Sequence, residues 1–206
     1  MKRPMALWLA DAPLILASQS KARRVLLNAA GVPVKADPAD LDERGLEAGA
    51  RSESAGAVAA LLAREKAIAV ARKHGGGLTL GADQTLSFGA ERLTKPQDRD
   101  AARAQLRALC GCTHELHSAI AFVRHGAVLF EHVGVARLTM RNFSERFLEL
   151  YLGAASESVT ASVGAYQLEG LGTQLFERVD GDYFTVLGLP LLEALEFLRR
   201  FGCLAR

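Results

Sequence analysis

The chain reads as an α/β protein: a mixed, twisted sheet flanked by helices. Three observations carry this expectation. Apolar runs of strand length alternate with longer stretches of helical periodicity. Two extended segments between Glu115 and Leu138 flank Arg124-His125-Gly126, a hairpin turn, so part of the sheet is antiparallel. No repeat, low-complexity tract or long linker divides the 206 residues, which are expected to form one domain, 1–206.

The elements follow in order. Leu14–Ala17 is a short buried strand. It stops at Ser18 and Ser20, either of which can cap a helix that carries Arg23 and Arg24 in its first turn and ends near Gly31. The free amides of a helix start bind anions, and arginine adds a fork matched to phosphate oxygens. Solvated arginines on an ordinary capped helix read equally well from this segment alone. Val32 to Asp42 is extended, with an acidic end that runs on to Glu43.

A helix over Ala55–Lys73 has an apolar stripe of Val58, Leu61, Leu62, Ile68 and Ala69 and closes at Gly75-Gly76-Gly77. Leu78–Ala82 is a second short strand with Asp83 at its end. After a turn at Gly89-Ala90 and the stiff Lys95-Pro96 pair, Asp98 or Asp100 starts a helix running to Gly111. Ser144 opens another helix that closes at Gly153. Gly164–Gly172 is too rich in glycine for a strand and is expected to wind as a loop against a ligand. A turn at Asp180-Gly181-Asp182 then leads to a last helix with Pro190 as its first residue and Gly202 past its end.

Composition narrows the function classes. A net charge of +2 excludes bulk attraction to nucleic acid or anionic lipid, so any positive site is local. Met1-Lys2-Arg3 followed by the interrupted run from Met5 to Ala10 is a poor signal peptide, and no apolar run reaches bilayer length. Three cysteines make no disulfide framework. The expectation is a cytoplasmic protein without membrane or nucleic-acid partners.

Asp83 is the sharpest chemical candidate. A carboxylate after Gly81 and Ala82 leaves room for substrate near the backbone, where it can orient a divalent cation or take a proton from water. An aspartate there also caps turns, so position leaves both roles open. Arg23, Lys66 and Lys95 can converge as a phosphate cage, with Glu43 and Asp83 holding a metal; that is the equipment of phosphoryl or nucleotidyl hydrolysis. Glu65 and Lys66, adjacent on a helix, point about 100° apart and do not pair. Cys110, Cys112, His114 and His117 invite a zinc site, but a strand through His114 and His117 turns them to opposite faces. Glu169, in the glycine-rich loop, can accept from the N1–H and amine of a guanine edge.

In order, the segments LILASQSKARRVLL, ADLDER, AREKA, LGADQT, LTKPQD, LRALCGCTH, SVGAYQLEGLGTQLFERVDGD and VLGLPLLEAL resemble the Maf family of nucleoside triphosphate pyrophosphatases across nearly the whole chain. The resemblance implies two lobes around a nucleotide-binding cleft, as in the inosine triphosphatase fold. It implies hydrolysis of the α–β phosphoanhydride bond of non-standard or surplus nucleotides to monophosphate and pyrophosphate, with Mg²⁺ or Mn²⁺. It also implies links to septum formation and a homodimer. By position, Asp83 matches the family's general base; Ser18, Ser20, Arg23, Lys66 and Lys95 match its phosphate-binding residues, and Glu43 with Asp83 its metal ligands.

The family's usual proline after the second serine is Lys21 here, which leaves the turn less rigid. At three specificity positions this chain has Ala22, Gln84 and Glu169. The branch acting on dTTP and UTP has arginine, threonine and glutamine there; the 7-methyl-GTP branch has tryptophan, glutamine and glutamate. Two of three positions agree with the second branch, so 7-methyl-GTP or a related purine is the expected substrate, with Ala22 the discordant position that removes a stacking surface and loosens selectivity. The rival readings are a dTTP/UTP or inosine triphosphatase-type enzyme, and a nucleotide-binding regulator of septum formation without useful turnover.

Overall fold

A computed structural model describes residues 7–206. Met1-Lys2-Arg3 and the start of the Met5–Ala10 run therefore lie outside the described residues. Among the described residues the sheet has seven strands: β1 (Leu14–Ala17), β2 (Val34–Ala36), β3 (Thr79–Phe88), β4 (Glu91–Leu93), β5 (Thr113–Arg124), β6 (Ala127–Met140) and β7 (Phe176–Asp180). Its order is β2-β1-β3-β5-β6-β7, with β4 on β3. The two strands beside β1 run parallel to it, and the remaining pairs are antiparallel. The expected mixed sheet is therefore present, with the Arg124–Gly126 hairpin at the β5–β6 turn.

Among the described residues the helices that flank it are α1 (Lys21–Ala29), α2 (Glu43–Gly49), α3 (Ala55–Ala71), α4 (Arg99–Leu109), α5 (Glu145–Ala155), α6 (Tyr183–Val186) and α7 (Leu191–Arg200). Caps settle what the sequence left open. Ser20, not Ser18, caps α1, and Asp98 caps α4. The acidic stretch before Glu43 is not extended to its end: Asp42 caps α2, so Glu43 opens a helix. Helix α5 runs on past Gly153 to Ala155, and Pro190 is the cap of α7 rather than its first residue. Tyr183–Val186 is a helical turn inside what reads in sequence as loop.

The long strands β3, β5 and β6 are a common platform for two cores. At one end Leu14, Leu16, Leu27, Leu80 and Phe122 pack under α7. At the other end Leu86, Leu106, Leu138, Leu148 and Leu152 join α4 and α5 to the sheet. The opposite face takes α3, where Val58 and Leu62 of the expected stripe are buried but the rest of it is corrected. Alanines 59, 63, 67 and 71 are buried on Ala119, Ala121 and Val123, whereas Leu61 and Ile68 are only half-buried. Small side chains let the helix backbone approach the strand: a Cβ on Gly81 would lie 2.0 Å from the carbonyl oxygen of Ala63. That contact brings Lys66, one turn along α3, directly over β3.

A second correction concerns β3 itself. The strand does not end before Asp83 but continues to Phe88, because β5 pairs with it from Thr79 to Ser87. What ends is its other neighbour. Strand β1 pairs only as far as Gly81, and β4 begins only at Leu86. Residues 82–85 therefore have a free strand edge, and this gap in the sheet is where the cleft opens.

Candidate active site

The cleft has a volume of about 1370 Å³ and is bordered by the β1–α1 turn, α2, the middle of β3, the β4–α4 loop, the segment before β7 and the α6–α7 turn. Strand alternation sends Asp83 to the α3 face and Gln84 to the α6 face. Asp83 is 8% exposed, and its Oδ1 accepts from Lys66 Nζ at 2.6 Å. The same ammonium reaches Glu43 Oε2 at 2.9 Å. Two carboxylates from different elements thus meet on one lysine, the residue expected from sequence to help bind phosphate. The reading of Glu65 and Lys66 as unpaired with each other agrees with this geometry. Asp83 Oδ2 makes no hydrogen bond among the described residues.

Arg23 is held on the other side of β3. Its Nε donates to the carbonyl of Gly188 at 2.7 Å, and its Nη1 donates to the carbonyl of Ala82 at 2.7 Å and to Ser18 Oγ at 3.0 Å. One buried side chain thus joins three elements and fills part of the free edge of β3. Burial pulls the guanidinium below its ordinary pKa, while Asp83 and Glu43 pull it the other way. Gly188 is required here: it has φ +88°, and a Cβ on it would lie 3.3 Å from Arg23 Nη2. Ser18 Oγ also accepts from the amide of Ser20 at 3.2 Å, and Ser20 Oγ caps α1 through the amide of Arg23 at 3.4 Å. Arg24 is exposed and takes no part. Lys21, in place of a proline, occupies the first helical position without disturbing the cap.

Ala22, Lys95, Gln84 and Glu169 all border the same cleft, with no side-chain hydrogen bond to the charged cluster among the described residues. Lys95 and Glu169 are exposed. The Gln84 amide nitrogen donates to Ser118 Oγ at 2.9 Å and to the carbonyls of Val186 and Thr185 at 3.0 and 3.2 Å. Two carbonyl acceptors fix that end of the amide as nitrogen. Its Oε1 therefore remains as an acceptor beside Gly188. By the alternation of peptide groups, the N–H and C=O of Gln84 share the free edge with the carbonyl of Ala82. Ser118 and Gly188 were not singled out from sequence, nor was Arg92, which borders the cleft from β4. Only the order Gly188-Leu189-Pro190 after an acidic turn offered a local signal, for Gly188.

The glycine-rich segment does wind along the cleft, as two short 3₁₀ turns, Val163–Ala165 and Leu171–Leu175. Tyr166 anchors it: its hydroxyl lies 2.7 Å from His114 Nε2 in the interior. Burial lowers His114 to a pKa of about 4 and raises that of Tyr166. His114 Nδ1 is buried without a hydrogen-bond partner among the described residues. His117 faces the other way, toward Ser87 Oγ at 3.1 Å and Glu115, so the two imidazoles do not converge. Among the described residues no group of three or more His, Cys, Asp or Glu side chains forms a metal site. A divalent cation that shares its coordination with substrate phosphates needs only one or two carboxylates, and hard oxygen donors suit Mg²⁺ or Mn²⁺. Glu43 and Asp83, already within reach of one cation, meet that need.

With this geometry in hand, the comparisons decide the family. The Maf-like protein family matches residues 13–201. The chain is a Maf-like protein. Among its relatives, a nucleoside triphosphate pyrophosphatase of Rhodopseudomonas palustris is 54% identical over 201 residues, covering 98% of this chain and all of the relative. One of Bradyrhizobium diazoefficiens is 55% identical over 195 residues, covering 95% of this chain and 96% of the relative. A 7-methyl-GTP pyrophosphatase of Brucella abortus is 47% identical over 196 residues, covering 93% and 97%. A solved structure of a HAM1 protein from Coxiella burnetii covers 62% of this chain and 72% of its own at 18% identity, with a TM-score of 0.39. The family and the sheet therefore rest on the sequence relatives and on the Maf-like protein's own topology. No helix among the described residues is long and apolar enough to cross a membrane.

Proposed function

We propose that this Maf-like protein is a nucleoside triphosphate pyrophosphatase, splitting the α–β phosphoanhydride bond to a monophosphate and pyrophosphate, with 7-methyl-GTP or a related guanine nucleotide as substrate. The single observation that carries the chemistry is the Glu43–Lys66–Asp83 cluster at the free edge of β3. Lys66 fixes one oxygen of Asp83 and leaves the other to take a proton from the attacking water. Arg23, locked by three hydrogen bonds, presents a guanidinium to the phosphates without having to reorganise. Lys95 adds charge from the opposite bank. Glu43 and Asp83 would hold Mg²⁺ or Mn²⁺, which supplies charge neutralisation on the phosphate oxygens.

Base recognition follows from donors and acceptors. With its nitrogen committed, Gln84 offers the cleft an acceptor, and Glu169 offers another. A guanine edge presents two donors, N1–H and the exocyclic amine, and suits that pair; a uracil edge also needs a donor facing it. The name of the Brucella relative points the same way.

The test is pyrophosphate release from 7-methyl-GTP, GTP, ITP, UTP and dTTP with Mg²⁺ or Mn²⁺, alongside an Asp83→Asn control. Fastest turnover of the guanine nucleotides is expected. A preference for UTP and dTTP would remove Gln84 and Glu169 as selectors, and silence across the panel with nucleotide still bound would favour a regulator without turnover.

A further inference from the structure

Among the described residues, Tyr166 and Tyr183 are the aromatic side chains that border the cleft, and they are placed very differently. Tyr166 is 4% exposed; its hydroxyl is taken by His114 at 2.7 Å, and its ring meets Phe176 edge-on at 4.7 Å. Tyr183 is 50% exposed, and Phe184 braces it with ring centroids 6.0 Å apart at 68°. A half-exposed ring on a cleft wall keeps apolar surface in water, and a flat ligand laid against it removes that surface.

Its position matches the base end of the site. Along β3, Asp83 faces the charged cluster on α3, whereas Gln84 faces α6. Gln84 is tied to α6 through the carbonyls of Thr185 and Val186 at 3.2 and 3.0 Å, two and three residues past Tyr183. The turn that carries Tyr183 is itself fixed: Asp182 Oδ2 accepts from the amide and the hydroxyl of Thr185 at 2.8 and 3.1 Å.

Helix α1 adds to the same wall. Ala22, Val25 and Leu26 share one side of it by their spacing, and all three border the cleft. Arg23 Nε, bonded to the Gly188 carbonyl at 2.7 Å, holds α1 against the turn that follows α6. Lys21 and Arg23 aside, α1 and α6 therefore supply aliphatic side chains and one ring. The other guanidiniums that border the cleft sit elsewhere, Arg44 beside Glu43 on α2 and Arg92 on β4.

We propose that Tyr183 is the stacking platform for the nucleobase, its ring lying against the base whose edge Gln84 reads. This assignment rests on the pyrophosphatase reading for its substrate and deepens it. A purine, with two fused rings, covers more of the ring than a pyrimidine does, so the platform favours the guanine class. Tyr183 belongs to the α6 side, away from Asp83, and so governs affinity for the base rather than bond breaking.

The experiment is calorimetric binding of GMP, and separately of magnesium pyrophosphate, to the wild type, Tyr183→Ala and Tyr183→Phe, with the melting temperature of each recorded. Tyr183→Ala should weaken GMP by about tenfold and leave pyrophosphate, which has no base, within about twofold. Tyr183→Phe keeps the ring and should bind GMP within about twofold of the wild type. Unchanged GMP binding in Tyr183→Ala, equal weakening of GMP and pyrophosphate, a Tyr183→Phe as weak as Tyr183→Ala, or no GMP binding by the wild type would each overturn the assignment. Pyrophosphate release by the wild type is measured in parallel. An inactive wild type whose GMP binding still depends on the Tyr183 ring would sink the hydrolysis reading and leave the base platform standing.

Discussion

The two banks of the cleft are built on opposite plans. On the β1–α3 bank every functional side chain is tied down: Arg23 to two carbonyls and a serine, Lys66 to two carboxylates, Ser18 to a backbone amide. On the opposite bank Arg92 and Lys95, from β4 and the loop after it, and Glu169, from the segment before β7, border the same space with no hydrogen bond to that cluster among the described residues. The first bank is pre-organised and rigid, which is where bond breaking needs its charges fixed. The second bank is left open for the ligand to complete, which suits recognition. The difference teaches that burial and mutual pairing, rather than the mere presence of charge, set apart the side proposed to carry the catalysis.

That contrast can be broken or sharpened by substitution. Asp83→Asn keeps the shape and removes the proton acceptor, so kcat should fall by about 10²–10⁴-fold while calorimetry still finds nucleotide bound. Retained turnover would take Asp83 out of the role of base. Lys66→Met strips the counter-ion from two carboxylates, one of them buried. Urea unfolding should show a loss of about 3 kcal/mol, whereas Lys95→Met on the open bank should leave the midpoint within about 0.5 kcal/mol of the wild type. Equal effects of the two would erase the distinction between the banks.

His114 sharpens it further, because it pins the loop that forms part of the open bank. Its folded-state pKa of about 4 lies below the ordinary 6.5, so the unfolded chain binds the extra proton between those values. Stability should therefore be complete above pH 6.5 and decline as pH falls toward 4, by up to about 3 kcal/mol. In His114→Gln the decline over that window should shrink; denaturant midpoints at pH 4.5 and 7 compare the two. A gain rather than a loss is expected from Ala22→Trp at the mouth of the cleft. An added aromatic surface should lower KM for guanine nucleotides by up to about tenfold, with kcat unchanged in the same steady-state assay.

The fold was largely legible because its punctuation is local. Ser20, Asp98, Ser144 and Gly202 mark helix ends by their own chemistry. Asp83 was misplaced at a strand end because the continuation of β3 depends on pairing with β5, thirty residues later, and its mixed sequence after Asp83 shows no clean alternation. Helix α2 was missed since seven residues within an acidic stretch carry too little periodicity. In the site, residue types and order pointed to the cations and carboxylates together with the family resemblance. That Lys66 would be locked between Glu43 and Asp83 was not legible, because it depends on how closely an alanine-faced helix settles on Gly81.

The missing neighbour of β3 has one more consequence. A run of unpaired peptide groups invites any extended chain to add itself as a strand. Here Arg23 occupies the carbonyl of Ala82 and stands in the opening like a stopper. The side chain proposed to receive the phosphates thus also keeps stray polypeptide out, and a protein lacking it would be open to self-association.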